Sequence, residues 1–276
     1  MPNRALISDL DLARRLERTD AWVGLQSAQL SCALYPESGA TTIPVPGGYA
    51  VFRGIGSPLT QVVGLGMSGP VTTADMEQME GFFHNRGARA QIELCPLADR
   101  SVFRLLAARS YVPLDCSNML VQRVRPEART ASAPALPPVH RCPPEEAELW
   151  ARTLMQGFTS EQSLPEDNIA LLTSHFVLPH THCFLSTLEE KPVGAGALSI
   201  SQGVAALYGA TTLRGYRRRG VQLAIIKALV NCTIDLGCDL AYSLTQPGSV
   251  SQRNMEREGF NVAYTRFTMI REVRKP

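Results

Sequence analysis

The stretch ALYGATTLRGYRRRGVQLAIIKAL, from Ala206 to Leu229, holds the residues best placed to do chemistry. Arg214, Arg217, Arg218 and Arg219 crowd a turn that contains Gly220, and an apolar periodic segment starts immediately after it. The first N–H groups of a helix have no partner inside the helix, and the helix dipole puts partial positive charge there. Guanidiniums beside such an end add charge-assisted hydrogen bonds to phosphate oxygens, so a diphosphate is the natural guest. Gly220 lets a ligand approach the backbone closely. The sequence reads as having no GxGxxG after a first strand and no GxxxxGK[ST], which counts against dinucleotide and nucleoside-triphosphate sites. Taken alone, three successive arginines describe a solvated turn equally well.

Positioning such a turn takes a strand before it and a helix after it. Val204–Leu213 reads as the strand, and Val221–Leu236 as the helix, with Val221, Ala224, Ile225, Ala228, Leu229, Cys232 and Leu236 on one face and Gly237 beyond its end. Upstream, His182–Leu188 and Pro192–Ser201 are strand-like and separated by turn residues, so an antiparallel meander is expected. Downstream come a strand at Leu240–Thr245, a short helix at Ser249–Glu258 and a strand at Val262–Arg271. Two helices precede the meander: Pro143–Gly157, with Leu149, Arg152, Thr153 and Gln156 spaced along it, and Asp167–Phe176. The order ααβββαβαβ predicts an α/β arrangement with a mixed sheet.

From Arg125 to Pro144 the chain has six prolines in twenty residues, which reads as an extended linker. The expected division is therefore 1–125, a linker over 126–144, and 145–276. In the first part a helix over Thr72–Arg86 stops at Gly87, followed by a strand at Gln91–Leu94, a helix at Asp99–Arg109 and a strand at Cys116–Val124. Setting Tyr111 on Phe260 (260 minus 111, an offset of 149) lays these elements on the last ones of the second part, as a duplication would. Ser68-Gly69-Pro70-Val71 then fall on Arg217 to Gly220, so the first copy lacks the arginines and the glycine.

Residues 203–270 resemble the core of the GNAT superfamily of acyl-CoA-dependent N-acyltransferases, and residues 139–274 match its element order. The family's Arg/Gln-x-x-Gly-x-Gly/Ala motif is matched by Arg217-Arg218-Arg219-Gly220-Val221-Gln222, with Gln222 departing from the usual small residue. The resemblance implies two α/β GNAT-like domains with mixed, mostly antiparallel sheets and helices on both faces, the first degenerate. It implies acetyl-CoA as donor, with backbone amides from Arg218 to Leu223 on its diphosphate and Thr211, Thr212 and Leu213 beside its pantetheine arm. In many members an Asn eleven residues before the Gly of a later Gly-Phe, and a Tyr four before it, contact the arm and protonate the leaving thiolate. That Gly-Phe is Gly259-Phe260 here, and the two positions hold Gly248 and Met255; Ser251 and Asn254 are the nearby candidates for the arm. No carboxylate lies on the Gly203–Leu213 strand. Tyr208 and Tyr264 are the titratable candidates for catalysis, and each equally describes a half-buried tyrosine. Glu161, with Glu166 and Asp167, borders the region that would take a small amine acceptor. The rival to an N-acetyltransferase is a non-catalytic acyl-CoA-binding or regulatory module.

Composition narrows the classes. The chain has 276 residues, 45% hydrophobic and 19% charged, with 27 basic residues against 25 acidic ones. Before and after residue 130 the balances are 13 against 12 and 14 against 13, so neither half carries the excess of a nucleic-acid binder. No long apolar run suggests a membrane span, and the charged N-terminus does not read as a secretory signal, so the cytoplasm is expected. Seven cysteines without a CxxC pair fit reduced thiols and argue against a metal centre, and His175, His180 and His182 lack a strong metal spacing. A homodimer is left open.

Overall fold

The computed structural model describes residues 8–128, 136–159 and 166–271. Its elements in chain order are α1 (Leu10–Leu34), β1 (Thr41–Val45), β2 (Gly48–Phe52), β3 (Gln61–Val63), α2 (Thr73–His84), β4 (Gln91–Leu94), α3 (Arg100–Ala108) and β5 (Tyr111–Arg123). There follow β6 (Val139–Arg141), α4 (Ala147–Phe158), α5 (Glu166–Thr173), β7 (Thr181–Leu188), β8 (Lys191–Ser201), β9 (Val204–Thr212), α6 (Val221–Asp235), β10 (Leu240–Thr245), α7 (Val250–Arg257) and β11 (Asn261–Arg271). The fold is α/β with mixed, mostly antiparallel strand pairing, as expected. Two compact units form, one from Met1–Met119, Thr245–Pro247 and Val262–Pro276, the other from Leu120–Leu244 and Gly248–Asn261.

In the first unit the strands run β1-β2-β3-β4-β11, antiparallel except for the β3–β4 pair. The chain's last strand therefore belongs here, where Phe267 to Ile270 pair with Leu94 to Gln91, and not with the segment from 145 onward. Helix α1 buries Leu12, Ala13, Leu16 and Ala28, together with Glu17, Thr19, Ser27 and Ser31. Its buried Glu17 meets the buried Arg266 of β11, Nη2 to Oε1 at 2.9 Å, while Arg266 Nη1 reaches Asp20 Oδ2 at 2.7 Å. The Tyr264 hydroxyl donates to the same Glu17 oxygen at 2.8 Å.

In the second unit the order is β10-β9-β8-β7-β6, with β10 parallel to β9 and the rest antiparallel. Both faces are covered. On one, Val221, Ile225 and Leu229 of α6 pack with Phe184, Leu198 and Leu207; on the other, Trp150, Ala151 and Leu154 of α4 pack with Leu185, Ala195 and Ala197. Trp150 satisfies its indole N–H on the Gly196 carbonyl at 3.1 Å. Glycines at 194 and 196 allow α6 to lie close, since a Cβ at either would meet Val221 or Ile225.

Three local expectations differ. The segment Pro143–Gly157 opens with a 3-10 turn at Pro144–Glu146, and the side α4 buries is that of Trp150, Ala151, Thr153, Leu154 and Gly157, leaving Leu149 45% exposed. The proline-rich stretch is not wholly extended linker: Val139–Arg141 pairs with Phe184–Ser186 as an edge strand, and 129–135 lie outside the described residues. The N-terminal segment, read for targeting alone, is the 25-residue helix α1.

Removing one partner of a buried ion pair leaves the other charge stranded, which costs about 3–5 kcal/mol. Arg266→Ala is thus expected to lower the unfolding midpoint sharply, whereas the double variant Glu17→Leu/Arg266→Met, which strands only the partly exposed Asp20 and the Tyr264 hydroxyl, loses less. Urea melts of the three proteins check this, and equal losses in both variants would refute it.

Candidate functional site

Strand β9 governs the geometry of the second unit's centre. It pairs with β10 across Val204–Ala206 and Leu240–Tyr242, and among the described residues no strand pairing is recorded for Leu207–Thr212 on that side. On its other side the register with β8 shifts between Ala195 and Ala197, where Gly209 and Ala210 together face Gly196. This is a β-bulge, and Gly209 supplies its left-handed residue at φ +70°. Strict alternation would put Tyr208 and Thr211 on opposite faces. The inserted residue brings both toward α4: Tyr208 packs against the Trp150 cluster, and a Cβ on Gly157 would collide with the Thr211 side chain.

Beyond β9, Leu213 has both backbone groups engaged, its N–H on Val193 O at 2.9 Å and its carbonyl accepting from Tyr216 N–H at 2.9 Å. A 3-10 turn at Arg214–Tyr216 leads to the arginines. Arg218 and Gly220 both take left-handed conformations, φ +65° and +79°, which curl the turn tightly before α6. Gly220 caps α6 with no side-chain hydrogen bond, so the first-turn amides of Val221, Gln222 and Leu223 receive none from the cap. Arg217, Arg218 and Arg219 are exposed; Arg217 reaches Gly157 O at 3.4 Å, and Arg219 lies 5.5 Å over the Tyr216 ring.

Gln222 knits this region together. Its Nε2 donates to the carbonyl of the bulge residue Ala210 at 2.8 Å and, less closely, to Ser251 Oγ at 3.4 Å; its Oε1 accepts from Asn254 Nδ2 at 2.6 Å. Met255 is buried in the α6-side core, so the position of the family's tyrosine is a packing position here.

The two tyrosines part company. Tyr208 sits in a hydroxyl chain, its oxygen 2.9 Å from Ser199 Oγ, which is 2.9 Å from Thr181 Oγ1. Burial pushes its pKa up, so it holds its proton at neutral pH. Tyr264 belongs to the first unit, with its hydroxyl committed to Glu17, and the expectation that it stands near the acyl centre is corrected. Glu161 lies outside the described residues. His175 lies between Trp150 and Tyr208, its ring tilted by 48° and 53° to theirs with centroids 6.1 and 6.2 Å away. Among the described residues one group of metal-capable side chains converges, His140, Cys142 and Glu146, with ligand atoms within 4.8 Å of one another. It sits on β6 and the turn before α4, away from the arginine turn in sequence.

The corresponding helix start in the first unit is closed. Thr72 accepts from Asp75 N–H, and the Asp75 carboxylate accepts from the Thr72 N–H at 2.8 Å and hydroxyl at 2.7 Å, so an acidic side chain occupies the end of α2. The loop before it, Gly64-Leu65-Gly66-Met67-Ser68-Gly69, does have GxGxxG spacing between a strand and a helix, a signal that the reading of the sequence misses. Its first two glycines answer to packing. A Cβ on Gly64 would lie 2.6 Å from Gly47 O, and one on Gly66 would strike Val102.

Comparison with solved structures places this geometry. Over 92% of the chain and 95% of its counterpart, it superposes on a GCN5-related N-acetyltransferase from Kribbella flavida with TM-score 0.65 and 16% identity. A tandem GNAT protein from the clavulanic acid biosynthesis pathway matches over 80% of this chain and 77% of that one, TM-score 0.60 and 11% identity. The fold is that of the GCN5-related N-acetyltransferases. A further GCN5-related N-acetyltransferase, from Sphaerobacter thermophilus, matches 74% of this chain and 68% of its own at TM-score 0.56 and 17% identity. No family model and no curated protein matches the chain. Among the described residues, no helix is long and apolar enough to cross a membrane.

His182 on β7 is half-buried, with Nδ1 lacking a hydrogen-bond partner among the described residues. Burial, and then the positive charge of Arg141, push its pKa down from 6.5 to about 4. The unfolded chain therefore takes up this proton first as the pH falls from 6.5 to 4, and stability drops with it. Thermal melts across that window should slope less in His182→Gln; an unchanged slope would refute the assignment.

Proposed function

We propose that the second unit transfers the acetyl group of acetyl-CoA to the amine of a small molecule. The observation that carries this reading is the uncapped start of α6, set behind the left-handed Arg218–Gly220 turn and beside the point where β9 leaves β10. The amides of Val221, Gln222 and Leu223, with Arg217, Arg218 and Arg219, suit the donor's diphosphate. Thr211, Thr212, Ser251 and Asn254 border the course of the pantetheine arm. Leu213 contributes shape alone, because its backbone groups are spent.

The acceptor approaches from the α4 side. A neutral amine attacks the thioester carbon, the new C–N bond forms as the C–S bond breaks, the electron pair leaves on sulfur, and the amine proton passes to water or a base. Holding the two reactants together supplies much of the acceleration. Tyr208, protonated and on the α4 face, is suited to donate a proton and unsuited to remove one. Met255 in the core favours the rival reading, a unit that binds acyl-CoA without turnover.

Calorimetric titration with acetyl-CoA is expected to show binding that Arg218→Ala/Arg219→Ala weakens at least about tenfold, the value of one charged hydrogen bond. Gly220→Val is expected to abolish it, while the unfolding midpoint confirms the fold. Unimpaired binding in both variants would place the donor elsewhere. An assay over a panel of amines then separates the two readings, since binding without thiol release on any acceptor favours the rival.

Tyr208→Phe is expected to lower kcat by about 10²-fold or more, a general-acid effect, with KM for acetyl-CoA within a factor of two. An unchanged kcat would remove Tyr208 from the mechanism.

A further inference from the structure

Gln222 stands where the family motif has a glycine or alanine, and the long side chain is not idle. Its carboxamide makes two short hydrogen bonds of opposite sense. The N–H donates to Ala210 O at 2.8 Å and the carbonyl accepts from Asn254 at 2.6 Å. Ala210 is the second bulge residue, on the part of β9 beyond its recorded pairing with β10 among the described residues. A strand carbonyl in a half-buried place needs a donor. The demand is met by an amide reaching over from the first turn of α6.

A pantetheine arm also consists of amides: each presents one N–H donor and one carbonyl acceptor a fixed distance apart. We propose that Gln222 is a donor-selectivity residue whose carboxamide fills the arm's amide position in the unliganded protein, so that binding exchanges one amide for another. This rests on the proposed acetyl-CoA reading of the same site. In the exchange the arm's N–H takes over Ala210 O, its carbonyl takes over Asn254 Nδ2, and Gln222 turns out toward solvent. A ligand with an amide at that depth restores both hydrogen bonds that it displaces. An aliphatic chain in the same place would leave a carbonyl and an amide unpaired, and a nucleotide diphosphate with no arm leaves Gln222 where it is. Selectivity for the arm thus comes from the cost of opening the Gln222 bonds, which an amide alone recovers.

The test compares coenzyme A with its nucleotide half, 3′-phosphoadenosine 5′-diphosphate, which carries the diphosphate and no arm. Both are titrated into the full chain and into Gln222→Ala. Removing the carboxamide spares the arm the opening step, so coenzyme A is expected to bind Gln222→Ala about fivefold tighter, the exchange value of one ordinary hydrogen bond. The nucleotide half is expected to bind both proteins equally. Gln222→Met, which keeps the volume and drops both bonds, should shift coenzyme A in the same direction, and it stands in should the alanine variant not fold. In the parent protein the Gln222 side-chain amide resonances, identified by their loss in Gln222→Met, should move on adding coenzyme A and stay fixed on adding the nucleotide half.

Weaker coenzyme A binding in both variants would make Gln222 a direct ligand that stays in place, and overturn the exchange. A change of equal size for both ligands would make it a support of the helix start, and overturn it too. If neither ligand binds the parent protein, the acetyl-CoA reading itself fails, a result distinct from the other two.

Discussion

Everything about the second unit's centre depends on what the backbone of β9 does between Ala206 and Thr212. In that span the strand loses its parallel partner on one side and takes an extra residue on the other. The first change exposes backbone polar groups that need partners. The second rotates the side chains by one place, so that Tyr208 and Thr211 come to the same face. Helix α4 can then press Gly157 against Thr211, while α6 reaches across from the opposite face with Gln222. A straight strand paired on both edges would offer neither an opening nor a carbonyl to contest.

The two helix starts show how little chemistry separates a site that can take an anion from one that cannot. At α2 a threonine and an aspartate satisfy each other and the first turn, which stabilises the helix by about 1 kcal/mol and brings negative charge to the end. At α6 a glycine caps the helix and contributes no side chain, leaving the positive end of the dipole uncompensated among exposed arginines. The left-handed Arg218 carries a backbone cost of its own. One start is built for stability. The other gives some stability up to keep its amides available.

Periodic, apolar elements were legible in the sequence, and elements whose burial depends on distant partners were not. Leu240–Thr245 and Gln91–Leu94 match the strands residue for residue, and α6 begins at Val221 as its caps and spacing predict. Helix α1 escapes a search for apolar periodicity because its buried face includes Glu17, Thr19, Ser27 and Ser31. Glu17 is acceptable inside because Arg266 and Tyr264, some 250 positions later, arrive beside it, while Thr19 and Ser31 return their hydroxyls to the helix's own carbonyls. For the same reason Tyr264, correctly placed on a strand, could not be assigned to a unit from local signals. The bulge did leave a trace, since Gly209 interrupts a strand rich in β-formers; so did GLGMSG, whose first two glycines serve close packing against the Gly47 backbone and the Val102 side chain.

The buried Met255 bears on mechanism less than it first suggests. Tyr208, which holds its proton, is left to serve the leaving thiolate in its place on the proposed reading. The amine is the harder partner. An alkylamine resembling lysine, with pKa about 10.4, must lose a proton before it can attack at pH 7, which costs about 4–5 kcal/mol unless the site lowers that pKa. Tyr208 cannot remove it, because burial raises its own pKa. The hydroxyl chain through Ser199 to Thr181 is neutral along its length and relays a proton only to something basic at its end. On the proposed reading, the acceptor side therefore carries the larger part of the catalytic problem.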